Sequence, residues 1–223
     1  MTNSFDMGDE HLPDPDPVPS GAWDEGRWED FLRRHEKRLE RFLQDVQSFL
    51  SHQLAPGRTD DLPTDREEAL VAYLQKRGWR DPETFVAWLA AEDAPANLPD
   101  LLVEDAAALA ARLSAWGELL PDALHDSSLV TLLVAAYDGA SMLARAARFG
   151  QERDAIGGAI ACTKRALGHA HTATAAMAEV RRDLGLGGAG QEVRSLAAAL
   201  HEHRNAVALR ILELRERAAL GVD

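Results

Sequence analysis

The chain has 223 residues, 46% of them apolar, a formal net charge of −13 and one cysteine. That is enough apolar chain for one medium domain or two small ones with a substantial core. The lone Cys162 excludes an internal disulfide framework and predicts a reducing, cytoplasmic setting. The acidic balance repels phosphate, so no nucleic-acid partner is expected. The longest apolar run, Leu129 to Tyr137, stops at Asp138, so no membrane span is expected either.

Residues 1–22 carry prolines at alternate positions, Pro13 to Pro19, and the first thirty residues hold nine acids against one base. Proline removes backbone donors, and so acidic a stretch has little apolar surface to offset the entropy of ordering. It reads as a disordered acidic tail, with an acidic peptide for a basic partner as the functional alternative. Residues 23–54 read as an amphipathic helix. Trp28, Leu32, His35, Leu39, Phe42, Val46 and Phe49 recur at steps of four and three, which puts them on one face. The same alternation is a coiled-coil seam, so a protein partner or self-association through the 28–53 helix is expected. Docking on the body of the same chain is the alternative.

Pro56-Gly57 and Pro63 mark a loop before a small helical region, 64–125. Thr64 and Glu67 form a capping box for a helix that stops at Gly78. Asp81-Pro82-Glu83 opens another. A longer helix follows from Leu101 to Leu120, with Ala106, Leu109, Leu113 and Trp116 on one face, and Pro121 ends it. Ser127 to Phe149 is apolar all round in its first half, which predicts burial on every side at the centre of a bundle. Asp138 interrupts it. A charge there must be paired or solvated: an arginine from another helix is the structural expectation, a catalytic or metal-binding acid the functional one.

The C-terminal third predicts a hairpin of two long helices joined at Gly185-Leu186-Gly187-Gly188-Ala189-Gly190. The first helix has two apolar lines, one of them rich in alanine (Ala159, Cys162, Ala166, His169, Ala173), so it should have two packed neighbours. His171 and His203 lie equally far from residue 187 on either side of the turn, so an antiparallel hairpin sets them at one height. His203 falls on a core line and His171 at the edge of one. His201 should point outward and His169 toward another neighbour. Two imidazoles on facing helices can supply two metal ligands, and Asp138 is the natural third. Arg165 and His171 share a helix with five residues between them. That pair resembles the active-site pattern of the HEPN family of helical ribonucleases, and the resemblance implies RNA cleavage by Arg165 and His171.

The whole reads as an all-α protein: a helical bundle of three or four long helices (about 101–120, 127–149, 154–184 and 191–220) with an N-terminal amphipathic helix and short accessory helices. The core bundle occupies 126–223 and is continuous with 101–120. No nucleophile elbow, P-loop or Rossmann glycine pattern occurs. The leading reading is therefore a non-enzymatic protein-protein interaction or assembly protein without a cofactor. The second is a metal-binding or metal-dependent helical-bundle protein holding a divalent metal on His171, His203 and Asp138. The third is the ribonuclease.

Overall fold

A computed structural model describes residues 23–53, 66–82, 100–120, 127–150, 155–183 and 190–220. Regular structure among the described residues is all helical: α1 (Glu25–Gln53), α2 (Arg66–Lys76), α3 (Leu101–Glu118), α4 (Ser127–Phe149), α5 (Ile156–Asp183) and α6 (Gln191–Leu220). The protein is all-α, as the periodicity predicts. The proline-rich tail, the Thr64 capping box, the helix beyond Pro82 and the glycine turn up to Ala189 lie outside the described residues.

The chain divides into two compact units. In the first, the described residues are 30–53 and 66–82, so the amphipathic helix groups with the short helix after it. Phe42 meets the Trp79 ring edge-on at 5.2 Å and Phe49 lies 5.4 Å from Tyr73. Trp79 is placed by the end of α2. Gly78 takes φ +93°, a left-handed conformation that favours glycine. The Trp79 N–H then bonds to the Leu74 carbonyl and the Gly78 N–H to that of Gln75, a Schellman cap. The cap aims the indole at Asp45, a buried carboxylate that accepts from Trp79 Nε1 at 3.0 Å and Arg77 Nε at 2.9 Å. Asp45 in turn holds the Arg77 guanidinium above the usual arginine value.

The second unit holds residues 23–29 and 100–220 of those described. The first turn of α1 is fastened to it. Asp24 caps the helix by accepting from the Arg27 N–H at 2.8 Å. Trp28, buried to 2% exposure, lies 4.7 Å from the Phe149 ring and over the backbone of Gly157 and Gly158. A Cβ at Gly157 would stand 2.5 Å from the Trp23 carbonyl oxygen, and one at Gly158 3.0 Å from the indole. The Gly-Gly pair, unfavourable for a helix, is the floor on which the indole rests.

Helices α3 to α6 each pack on their neighbour in the chain, and α6 returns to α3. Both apolar lines of α5 are buried. Met177 and Val180 meet Leu132, Leu196 and Leu113 in the larger cluster, while Ala166 meets Leu143, Val207 and Ala106 in a second. Alanine on this helix permits the close approach that larger side chains would prevent.

Helix α4 departs from the expectation of enclosure on all sides. Leu129, Leu132, Ala135, Gly139, Leu143 and Ala146 are buried, whereas Val130, Val134 and Tyr137 are exposed to 56, 53 and 51%. It is long and apolar enough to cross a membrane by length and composition. Its inward face is nevertheless packed against α3 and α5. Neighbours on one side suffice because that face is built from small and branched residues that fit closely. The opposite face carries apolar residues with no helix against them among those described.

Candidate functional site

Two faces of the second unit carry the residues singled out by sequence. The first is the seam between α4 and α5. At Gly139 a Cβ would stand 3.4 Å from the His169 Cβ and 3.8 Å from the Ala166 carbonyl oxygen, so the two helices nearly touch there. This approach brings His169 to Asp138, with Nδ1 4.0 Å from Oδ2. The Asp138 carboxylate is 52% exposed and the imidazole 34%. Asp138 is therefore a surface carboxylate beside a histidine, not an interior acid held by an arginine. Cys162, on the same line two turns earlier, is wholly buried and withheld from solvent.

The proposed metal trio is distributed differently. Asp138 meets His169, and His171 is exposed. His203 is half-buried on α6, where burial pushes its pKa below the ordinary histidine value against the opposing pull of Asp105 on α3. Among the described residues no three His, Cys, Asp or Glu side chains gather as metal ligands. His201 is exposed.

Arg165 has a partner that sequence spacing does not reveal. Its Nε and Nη2 donate to the two carboxylate oxygens of Glu29 at 3.1 and 3.0 Å, a fork-on-fork contact, and its side chain is 14% exposed. One turn earlier on α1, Glu25 bridges Lys164 and Arg215. The hydrogen bond from Lys164 chiefly holds the Glu25 carboxyl below its usual range. These contacts fix the start of α1 on α5 and α6. Of the pair that resembles the HEPN pattern, Arg165 is bonded to Glu29 and His171 is exposed.

The second face is the outer side of α4. Exposed positions from 127 to 141 are Ser127, Val130, Thr131, Val134, Tyr137, Asp138 and Ser141. Val130, Val134 and Tyr137 follow at steps of four and three, which stacks them in one row. Asp138 is the one charge in this set, although 27% of the chain is charged. The expected α1 seam offers less: Trp28, Leu32, Phe42 and Phe49 are buried within the chain, leaving Leu43 and Leu50 exposed at 55 and 50%. No family model, curated protein or solved structure matches this chain.

Proposed function

We propose that this chain is a non-enzymatic interaction protein that self-associates through the outer face of α4. The observation that supports the reading is the exposed row Val130, Val134 and Tyr137 in a face almost free of charge. Water is a poor solvent for such a row. Interface centres are depleted in charge and enriched in tyrosine.

A two-fold axis at Val134, with the helices antiparallel, sets Val134 against its own copy and Tyr137 against Thr131. The same axis sets Val130 level with the exposed Asp138 of the copy, so the apolar centre is the Val134 pair flanked by Tyr137 and Thr131. The two Asp138 carboxylates then fall about 12 Å apart along the helix direction, from the rise of eight residues. That separation exceeds the screening length of about 8 Å at physiological salt. One helix pair buries an area at the low end for specific interfaces, so the association is concentration-dependent.

Light scattering during size exclusion tests the reading. The mass should rise with loading from the 24.3 kDa of one chain toward twice that value, and Val134→Glu should hold it at one chain. A single-chain mass at every loading, or unchanged association of the variant, would contradict it.

A further inference from the structure

A cavity of about 360 Å³ opens in the second unit, at the end of the bundle where α3 begins, α4 ends, α5 begins and α6 ends. Its volume lies within the range of small-molecule sites, about 300–1,000 Å³. Apolar wall is supplied by Val103, Leu143 and Leu214, and polar groups by Asp100, Arg210, Arg217 and Thr163.

The charges in this lining are unequal. Arg210 Nη2 lies 2.8 Å from Asp100 Oδ2. The other Asp100 oxygen accepts from the Leu102 N–H at 3.0 Å and caps α3. Arg210 Nη1 also lies 3.4 Å from Glu213 Oε2, outside the lining, so two carboxylates hold Arg210 in place and Asp100 balances it within the lining. Arg217 is half-buried and donates from Nη2 to the Gly150 carbonyl at 3.3 Å. Among the described residues it makes no ion pair. Thr163, wholly buried, gives its hydroxyl proton to the Ala159 carbonyl at 2.7 Å and keeps its oxygen lone pairs as acceptors.

A half-buried guanidinium beside a cavity, with no ion pair among the described residues, can be completed by an anion that accepts its remaining N–H groups. Among the described lining residues two arginines, Arg210 and Arg217, stand against one carboxylate, Asp100, which opposes a second negative charge. The anion is therefore a monoanion, and the apolar wall requires an apolar body behind it. We propose that this cavity binds a small aliphatic monocarboxylate of medium chain length. Its carboxylate lies on Arg217 and its chain lies along Val103, Leu143 and Leu214.

Titration calorimetry of the full chain with octanoate tests this, with 1-octanol and inorganic phosphate as the other ligands. Octanoate should bind saturably at one site. Octanol should bind at least about tenfold more weakly, the loss of one charge-assisted contact, and phosphate should give no saturable heat. Arg217→Gln should lower octanoate affinity to the octanol level, and Arg217→Lys should recover part of it. The ligand comparison on the unaltered chain stands even if a variant misfolds. No saturable octanoate binding, equal affinity for octanol, comparable binding of phosphate, or unchanged affinity in a folded Arg217→Gln would each overturn the proposal.

Discussion

Adding one methyl group at Gly157 and one at Gly168 should move stability in opposite directions, although both glycines lie on α5. Around Gly168 a Cβ meets nothing within 4 Å. Gly168→Ala therefore gains helix propensity alone, about 0.5–1 kcal/mol. At Gly157 the Cβ would stand 2.5 Å from the Trp23 carbonyl oxygen, 2.9 Å from Trp28 Cδ1 and 3.3 Å from the Asp24 carbonyl carbon. Two of these atoms are backbone and cannot rotate away, so the first turn of α1 must lift. Overpacking of this kind costs about 1–3 kcal/mol. Full release of Trp28 sets the upper limit, about 3–5 kcal/mol for losing a buried tryptophan. Gly157 is the second residue of α5, so the propensity gain there is smaller than in the interior. The two variants should differ by about 2–3 kcal/mol, with the wild type between them. Urea denaturation read from midpoints at unchanged slope measures the difference. Hydrogen exchange over residues 23–29 locates it. A Gly157→Ala protein as stable as wild type, with full protection of that segment, would refute the docking of Trp28 on the glycine floor.

Asp45→Ala should destabilise the first unit by about 2–3 kcal/mol, because the buried Trp79 indole N–H loses its acceptor while the half-exposed Arg77 can turn to water. Asp45→Asn, which keeps one acceptor, should cost less. Hydrogen exchange in α2 measures both, and a neutral Asp45→Ala would remove the lock from the account. His203 predicts a pH response. Burial holds its folded pKa below the unfolded value of about 6.5, so the unfolded chain takes up the proton first as pH falls. Stability should decline below that pH, since the unfolded state then binds more protons. Denaturation midpoints across this range should fall less steeply in His203→Gln, and an identical slope would contradict the burial of the imidazole.

Helix positions were legible in the sequence because their ends are punctuated by glycine, proline and capping acids. Helices α5 and α6, Ile156–Asp183 and Gln191–Leu220, run within two residues of their expected bounds. Rotation was less legible. Counting from the glycine turn gives the height of His171 but not its bearing, and a residue at the edge of a core line can face solvent. His171 is exposed, while His169 comes beside Asp138 through the close approach at Gly139. A glycine on an apolar helix beside an acid was the signal available for that contact. The first half of α4 shows the limit of periodicity. An apolar run interrupted only by Thr131 has no clear face, so packing shows that Leu132 points inward and Val134 outward. The Arg165–Glu29 fork joins residues 136 positions apart. No local pattern contains it.

Helix α4 should meet its own copy about Val134, and intermolecular disulfide formation by Val134→Cys tests this most directly. The native Cys162 is wholly buried and does not compete. Under mild oxidation Val134→Cys should form a covalent dimer rapidly, while Ser195→Cys, exposed on α6, should form one slowly. Equal rates for the two variants would contradict the account.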